Sequence, residues 1–300
     1  MLAVGLAVAL LGACSSSKSS SGTIKFRTYD AGGPLTVAAI KSGAVQIGEL
    51  FTFSPAITKN KWLILGDDKH LQAADNFVPA IRTDKVTPEI SAVLNAVDAK
   101  LSQSGVATLV DQVSNQGQNP DAVAKQWLTT NNLPGTLKAT GTLKVGTANF
   151  AESEIVGQIY GQALKAAGVN VSIKPDFGSR QVTTPALEAG KLDVMPEFTA
   201  SLLLYLNPKA TASSDLNTTW AALKTAAAAK GITVLAPTLV SDVNVFVVTQ
   251  ATALKYHISK LSDLSGVSGS LTLGGPPECV KNAQCLVGLE KVYGLKFAVQ

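Results

Sequence analysis

Alternating apolar and polar positions predict short strands that alternate with amphipathic helices, which is the pattern of an α/β protein. The clearest helix is predicted over residues 88–102, where Ile90 and Leu94 fall on one apolar stripe. A long helix is also predicted over residues 152–167, with Gly168 as its C-terminal cap. Strands are predicted over residues 23–29, 45–51, 62–65, 77–81, 143–146, 169–173, 192–194, 232–235, 243–248 and 271–274, and further helices over 106–113, 120–131, 220–230, 261–264 and 286–293.

One turn–helix–strand unit occurs twice in the chain, over residues 30–52 and 177–199. The two copies are offset by 147 residues (190 minus 43), so that Gly190 corresponds to Gly43 and both copies end in Phe-Thr. Apolar periodicity would match the strand positions of any two such units, but it would not match the terminal Phe-Thr pair. The repeat therefore predicts two similar lobes that present similar loops.

Composition and charge exclude several classes of function. The chain has 300 residues, of which 46% are hydrophobic and 15% charged, which suits a globular chain of two ordinary domains. The net charge of +4 is spread without a basic block, so nucleic-acid binding is not indicated. His70 and His257 are far apart and no Cys-x-x-Cys occurs, so no metal site is expected. Without a Ser-His-Asp set, a P-loop or an obvious carboxylate pair, neither an enzyme nor a cofactor is predicted.

An apolar run over residues 2–13 is followed by Cys14 and predicts export. The run is shorter than the ~20 residues that span a bilayer, so residues 1–13 are predicted to be a signal peptide. Residues 11–14 resemble the lipobox of bacterial lipoproteins, which predicts lipidation of Cys14 and a Ser-rich tether over residues 14–22. The expected location is the extracytoplasmic face of the cell membrane, with the lipid as anchor. An ordinary signal peptide with an incidental cysteine is the alternative, and no basic residue precedes the run.

The remaining cysteines, Cys279 and Cys285, are six residues apart in the sequence. In an exported protein they are expected to form a local disulfide that closes a small loop. The spacing alone does not establish the geometry of that bond.

Three long motifs carry a family resemblance. They are VGTANFAESEIVGQIYGQAL at 145–164, FGSRQVTTPALEAGKLDVMPEFTASLLLYL at 177–206 and LTLGGPPECVKNAQCLVGLEKVYGL at 271–295. Together they resemble the glycine betaine/carnitine/choline-binding, OpuAC-like substrate-binding proteins of osmoprotectant ABC transporters. Residues 30–57 and 88–133 also resemble that family, so the likeness covers nearly everything from residue 23 onward.

The order of the segments departs from the family. In the family, the segment similar to residues 143–297 comes first and the segment similar to residues 25–133 follows. Joining Phe297 to Phe26 would restore the usual order, so we interpret the chain as a circular permutant. The alternative is a join of two neighbouring paralogues. Such a chain would fold as a pseudo-monomer, pair with another copy by exchanging halves, or be a non-functional fragment.

The resemblance implies a type II-like periplasmic-binding-protein fold, in which two α/β lobes are joined by two crossing strands. One lobe is expected to be split, over residues 23–75 plus 242–300. The other is expected to be continuous, over residues 76–241. Within it, residues 133–142 would be the linker that joins the old termini.

The resemblance also implies a site between the lobes. Family members place ligand-contacting tyrosines in the motifs similar to residues 196–199 and 50–52, where this chain has Phe198 and Phe51. Aromatic faces bind a quaternary ammonium, and Arg180 is a candidate for a ligand carboxylate. The candidate ligand-binding residues are Asn149, Phe150, Arg180, Phe198, Thr199, Phe51, Thr52, Asp242 and Asn244.

The predicted function is that of a solute-binding lipoprotein that delivers a quaternary amine to ABC permease subunits by lobe closure, as a monomer. Only five tyrosines occur in the chain, and Ser54 stands where many relatives carry Asp. Another small compatible solute is therefore the alternative ligand. A sensor domain and an enzyme on the same fold are not favoured, because the sequence shows neither an attached domain nor a catalytic motif.

Overall fold

The computed structural model describes residues 22–300, which form two β-sheets with helices packed against them. The strands are β1 (Ile24–Thr28), β2 (Ile47–Phe51), β3 (Leu63–Ile64), β4 (Phe77–Arg82), β5 (Thr142–Gly146), β6 (Asn170–Lys174), β7 (Val194–Phe198), β8 (Ile232–Val234), β9 (Asn244–Val248), β10 (Thr272–Gly275) and β11 (Phe297–Val299). The α-helices are α1 (Pro34–Ser42), α2 (Pro55–Lys59), α3 (Pro88–Asp98), α4 (Gln103–Ser114), α5 (Pro120–Thr130), α6 (Ala151–Ala167), α7 (Arg180–Glu188), α8 (Thr199–Leu206), α9 (Leu216–Ala228), α10 (Gln250–Tyr256) and α11 (Leu286–Tyr293).

The first sheet has the order β11-β1-β10-β2-β9-β3 and belongs to a lobe formed by both ends of the described chain. β11, β1, β10 and β2 run parallel, whereas β9 is antiparallel to β2 and β3. The segments around Phe26 and Phe297 are neighbours in this sheet, because Phe297 lies opposite Ile24 and Val299 opposite Phe26. We call this the split lobe.

The second sheet has the order β6-β5-β7-β4-β8 and lies within one stretch of chain. β6, β5 and β7 run parallel, and β4 is antiparallel to its neighbours β7 and β8. Each sheet thus places an antiparallel strand, β9 or β4, directly after the chain has crossed from the other lobe. We call the lobe that contains this second sheet the continuous lobe. A fold of two α/β lobes joined by two crossings is the predicted architecture, and it is confirmed.

The two crossing segments pair with each other where they pass between the lobes. Asn76 and Ser241 form an antiparallel bridge, and the Asp242 amide donates a hydrogen bond to the Asp75 carbonyl at 3.0 Å. The crossings therefore form a two-stranded connection, which positions residues 75 and 242 side by side at the floor of the space between the lobes.

The repeated unit folds the same way in both lobes. α1 and β2 of the split lobe correspond to α7 and β7 of the continuous lobe, and the strands β2 and β7 are offset by the predicted 147 residues (194 minus 47). Gly43 and Gly190 follow the two helices with φ of 75° and 70°, a left-handed conformation that a residue with a Cβ adopts only under strain. The prediction of two similar lobes from this repeat is confirmed.

Several predicted boundaries are wrong, and capping explains the clearest case. The helix predicted over residues 88–102 ends at Asp98. Ser102 then caps α4 by accepting a hydrogen bond from the Gly105 amide, which starts a new helix. Leu101 packs against the same core as α3, so the apolar spacing continues across the break although the backbone does not.

The strand predicted over residues 192–194 begins only at Val194 and runs through Pro196 to Phe198. Pro196 lies directly opposite Pro79 of β4, so both residues that lack an N–H stand at the same rung of the ladder. A proline in a central strand is uncommon, which is why the sequence pattern placed this strand too early.

The stretch over residues 133–142 is packed rather than loose. Ala139 is buried and donates its amide to the Ala167 carbonyl at 3.0 Å, and Leu133 and Leu137 pack against the core of the continuous lobe. Helices α2, α8 and α10 were not predicted. In α8 the cause is plain, because its sequence TASLLLYL gives it no polar face.

In residues 22–300 no helix is both long and apolar enough to cross a bilayer. The predicted signal peptide over residues 1–13, the lipidation site Cys14 and the tether up to residue 21 lie outside the described residues.

Candidate ligand-binding cleft

A cavity of about 550 Å³ opens between the two lobes, beside the crossing segments. The carboxyl ends of β2 in the split lobe and of β5 and β7 in the continuous lobe lead into it, which is where ligands bind in open parallel sheets. The cavity is lined by Gly32, Phe51, Phe53, Ser54, Pro55, Asp75, Phe150, Glu152, Arg180, Phe198, Ser201, Asp242, Val243, Asn244 and Gln284. We call this cavity the cleft.

Phenylalanine rings form the apolar part of the cleft. Phe198 packs against Phe77 with ring centroids 4.3 Å apart, and Phe150 lies 6.2 Å from Phe198 on the side of the cleft. Phe53 comes from the split lobe and stacks on Phe77 at 5.9 Å. Phe51 lines the cleft from the split lobe and is 41% exposed, whereas Phe198 is 5% exposed. The rings offer aromatic faces from both lobes to a cation placed between them.

The threonines of the two Phe-Thr pairs fix the crossings. The Thr52 hydroxyl donates to the Val243 carbonyl at 2.9 Å and accepts from the Val243 amide at 3.0 Å. The Thr199 hydroxyl donates to the Ala74 carbonyl at 2.8 Å and accepts from the Asn76 amide at 2.9 Å. Each copy of the repeat therefore aims a Phe at the cleft and uses the next residue to hold the crossing segment that passes it.

Arg180, at the start of α7, is held by an ion pair. Its Nε and Nη2 both donate to the carboxylate of Glu197 on β7, at 3.1 Å and 2.9 Å. Burial lowers the pKa of Arg180, but the nearby carboxylates of Glu197 and Asp75 outweigh it and the net shift is upward. Glu197 also accepts the Phe198 amide at 3.1 Å, so the ion pair positions the aromatic ring beside it.

Asp75 lies on the crossing segment before β4 and caps α8. Its Oδ1 accepts hydrogen bonds from the amides of Ala200 and Ser201 at 2.8 Å and 2.9 Å, and the Ser201 hydroxyl donates to Oδ2. These are favourable contacts for an anion at a helix N-terminus. Burial nevertheless raises the pKa of Asp75 above its ordinary value, by more than these hydrogen bonds lower it.

Glu152 and Asp242 bring two carboxyl groups into the lining of the same cavity. Glu152 lies in the first turn of α6, and Asp242 lies on the crossing segment before β9. Burial raises the pKa of both groups, and the Glu152 charge raises the pKa of Asp242 further. Two such neighbours cannot both ionise at little cost, so the pair holds a proton to a higher pH than an isolated carboxyl group would.

The structure brings most of the predicted site residues to the cleft. Phe51, Phe150, Phe198, Arg180, Asp242 and Asn244 line it. Thr52 and Thr199 lie behind it at the crossings, and Asn149 is exposed and donates its amide to the Gly178 carbonyl, so these three do not line the cavity.

Nine lining residues were not predicted from the sequence: Gly32, Phe53, Ser54, Pro55, Asp75, Glu152, Ser201, Val243 and Gln284. Phe53 and Glu152 each stand two residues after a predicted site phenylalanine, so the sequence already places them next to predicted site residues. Asp75 has no such signal, because its role depends on the pairing of the two crossing segments.

The disulfide loop reaches the edge of the cleft. Cys279 and Cys285 are joined in the structure, with Cα atoms 5.2 Å apart, and Gln284 lines the cleft beside them. The Gln284 carbonyl accepts a hydrogen bond from the Gln72 side chain at 2.9 Å. In residues 22–300 no group of three or more His, Cys, Asp or Glu side chains is arranged to hold a metal ion.

Comparisons with known proteins identify the family. A model of the "Substrate binding domain of ABC-type glycine betaine transport system" (OpuAC) matches residues 21–130 and 141–300. The chain is 27% identical over 165 residues to the glycine betaine-binding protein YehZ of Escherichia coli (strain K12), which covers 53% of this chain and 54% of that protein. It is also 27% identical over 165 residues to a glycine-betaine-binding protein of Pseudomonas aeruginosa, covering 52% of each.

The chain spans about half the length of the curated relatives it matches. Among solved structures it is similar to NikA from Brucella suis in complex with Fe(III)-EDTA, with 12% identity, a TM-score of 0.37 and coverage of 71% of this chain and 55% of that one. The family that matches is one of binding domains, in agreement with the prediction that the chain is not an enzyme. The family model covers most of the sequence in its two blocks, and the chain belongs to the substrate-binding domains of ABC-type glycine betaine transport systems.

Proposed function

We propose that this protein captures a small quaternary amine of the glycine betaine, choline and carnitine class outside the cytoplasm and delivers it to an ABC permease. The observation that carries the proposal is the cleft itself, whose lining combines phenylalanine rings from both lobes with half-buried carboxyl groups. A trimethylammonium group accepts no hydrogen bonds and is bound by aromatic faces and negative charge, and this lining supplies both.

The geometry of the crossings supports delivery by lobe closure. Phe51 and Phe198 lie on different lobes, so a ligand that contacts both rings would favour the state in which the lobes approach each other. A closed, loaded protein then differs in shape from an open, empty one, which is the difference that a permease would recognise.

Calorimetric titration of the purified protein tests the proposal. The ligands are glycine betaine, proline betaine, choline and carnitine, and proline is the matched control because it lacks N-methyl groups. We expect saturable binding of at least one quaternary amine with one site per chain, and none of proline. A folded protein that binds proline or no quaternary amine would overturn the proposal and favour another compatible solute.

The permuted order is part of the same proposal. The two blocks matched by the family model are separated by residues 131–140, close to the predicted linker over 133–142. A cooperative melting transition of a monomer, measured by calorimetry and light scattering, is the result we expect of a working permutant. A dimer that exchanges halves, or a chain without a cooperative transition, would favour the joined-gene alternative.

We further propose that the protein is anchored by lipid on Cys14. The lipobox-like sequence before that residue supports this anchor. Cell fractionation is the test: we expect the protein in the membrane fraction, and a Cys14→Ala variant released from it. A wild-type protein that is recovered free of membranes would instead support a cleaved signal peptide.

A further inference from the structure

The charges that line the cleft are unevenly divided, and this narrows the ligand class of the proposed function, on which the inference rests. We propose that the cleft selects an organic cation without a carboxylate, such as a quaternary ammonium alcohol, over a zwitterion. Glu152 and Asp242, which both line the cleft, are the counter-ions of this cation.

Arg180, the basic side chain that could bind a ligand carboxylate, already forms an ion pair with Glu197. Arg180 gives Nε and Nη2 to Glu197, which is 3% exposed and has the Phe198 amide as its other donor. Freeing Arg180 would leave Glu197 buried without its counter-ion, which is strongly unfavourable. A ligand carboxylate that approached Arg180 without breaking this pair would meet the nearby carboxyl group of Asp75.

Glu152 and Asp242, in contrast, form no ion pair with a basic side chain in the part of the chain that the structure describes. Asp75, Glu152 and Asp242 all line the cavity, and Arg180 is the single basic side chain in the lining that the structure describes. The Oδ1 atom of Asp242 is buried and meets no hydrogen-bond donor within residues 22–300. A buried carboxylate oxygen without a partner is unfavourable unless a proton or a cation reaches it.

The surroundings of the pair show which charges act on it. Asp75 approaches Asp242 from the other crossing segment and raises its pKa further. Arg180 lies on α7, where Glu197 balances its charge. From the split lobe, the lining residues Ser54, Asn244 and Gln284 are uncharged.

Binding and deprotonation are therefore linked. A cation next to the pair favours the form in which both carboxyl groups are ionised, so the proton is released as the cation enters. A zwitterion brings its own carboxylate into the same cavity, so Glu152 and Asp242 stabilise it less than they stabilise a cation. Its binding should therefore release fewer protons from these two groups. Affinity for the cation should rise as the pH rises toward the raised pKa of Asp242, which is about 8, and level off above it.

Calorimetry with choline and glycine betaine tests the inference on the full protein. Titrations at pH 6, 7 and 8, each in two buffers of different ionisation enthalpy, give the affinity and the protons released. We expect choline to bind at least about tenfold more tightly than glycine betaine at pH 8, with affinity rising from pH 6 and net proton release at pH 7.

Variants assign the effect to the pair. Asp242→Asn and Glu152→Gln should each weaken choline binding at pH 8 by about tenfold and abolish the proton release, while glycine betaine binding changes by less than about threefold. Glu154→Gln is the matched control, because it removes a carboxylate from the same helix outside the lining. Melting temperatures establish that each variant is folded.

The outcomes separate the inference from the proposed function. Tighter binding of glycine betaine than of choline, or proton release that survives both substitutions, would overturn the inference and leave the proposed function standing. A folded protein that binds neither ligand, nor any other quaternary amine, would overturn the proposed function itself.

Discussion

Two phenylalanines that occupy equivalent positions in the repeat have different surroundings. Phe51 is 41% exposed at the end of β2, whereas Phe198 is 5% exposed and packs between Phe77 and Phe150. The family resemblance predicted both as ligand contacts, and the Phe-Thr pair that both copies of the repeat keep supported that prediction. It could not distinguish the accessible ring from the packed one, because that difference arises from Phe77 on another strand.

Alanine substitutions should therefore separate binding from stability. We expect Phe51→Ala to weaken binding of a quaternary amine by about three- to tenfold with little change in the melting temperature, because it removes an exposed aromatic face. Phe198→Ala should lower the free energy of unfolding by about 3 kcal/mol, because it leaves a cavity in the core. Calorimetric titration and denaturant unfolding are the measurements. Leu254→Ala, at an exposed residue outside the cleft lining, is the control.

A buried carboxyl group in the continuous lobe makes stability depend on pH. The Tyr160 hydroxyl donates to Asp98 Oδ1 at 2.6 Å, and Asp98 Oδ2 has no partner within residues 22–300. Burial raises the pKa of Asp98 from 3.8 to about 7. In the unfolded chain this group ionises near its ordinary pKa, so the folded state binds more protons between the two values. Its contribution to stability is full below the ordinary pKa and is lost as the pH rises toward about 7.

The Asp98→Asn variant tests this dependence, because the amide keeps an acceptor for Tyr160 and does not titrate. We expect the variant to exceed the wild type by about 2 kcal/mol in unfolding free energy at pH 8 and to match it near pH 4. Denaturant unfolding across this range is the measurement, with Asp84→Asn, at an exposed carboxyl group, as control. Parallel pH profiles of wild type and Asp98→Asn would contradict the assignment.

At the scale of elements, a disulfide closes one of the loops that line the cleft. Cys279 and Cys285 are buried, and Gln284 of the loop that they close lines the cleft. The sequence predicted the pairing from the export signal. It could not predict the place of Gln284, which depends on how this loop packs against the residues before β4, such as Gln72.

We expect removal of the disulfide by Cys279→Ser with Cys285→Ser to lower the unfolding free energy by about 2 kcal/mol, since the closed loop is short. Thermal melting with and without reductant is the measurement. The wild type should lose stability in reductant and the double variant should not respond. A wild-type melting temperature that reductant leaves unchanged would mean that the bond does not form in solution.

Periodicity was reliable for elements that bury one face and failed for elements that do not. Helices α6 and α11 were predicted almost to the residue, since each has a regular apolar stripe and a glycine in the left-handed conformation after its last turn. Helix α8 was missed because nearly all of it is apolar, and its start depends on Asp75, which is distant in sequence. The apolar periodicity of a short segment cannot predict a cap from a residue that is distant in the sequence.

At the scale of the whole molecule, the repeat predicted two similar lobes, because its two copies have the same turn, helix and strand in the same order. It did not predict that the same threonine in each copy holds a crossing, because the partners of Thr52 and Thr199 lie more than a hundred residues away. The two hydroxyls connect each lobe to the segment that leaves or enters the other one.

Replacing either hydroxyl by a methyl group should weaken the connection between the lobes. We expect Thr52→Val and Thr199→Val each to lower the unfolding free energy by about 1–3 kcal/mol. Each substitution removes a hydroxyl that bonds to one amide and one carbonyl of a crossing segment. Denaturant unfolding is the measurement. Thr225→Val, which removes an exposed hydroxyl on α9, should change stability by less than about 0.5 kcal/mol. Equal effects at all three positions would argue against a special role for the crossings.

The choice of phenylalanine for the cleft has an optical consequence. Trp62 lies in the split lobe, and Trp127 and Trp220 lie in the continuous lobe, and none of them lines the cleft within the part of the chain that the structure describes. Phenylalanine does not absorb the light that excites tryptophan, so contact between a ligand and these rings should be invisible in tryptophan emission. A change in that emission on adding a ligand would instead report a rearrangement around the tryptophans, away from the ligand, so the natural chain can report a conformational response to binding without an added label.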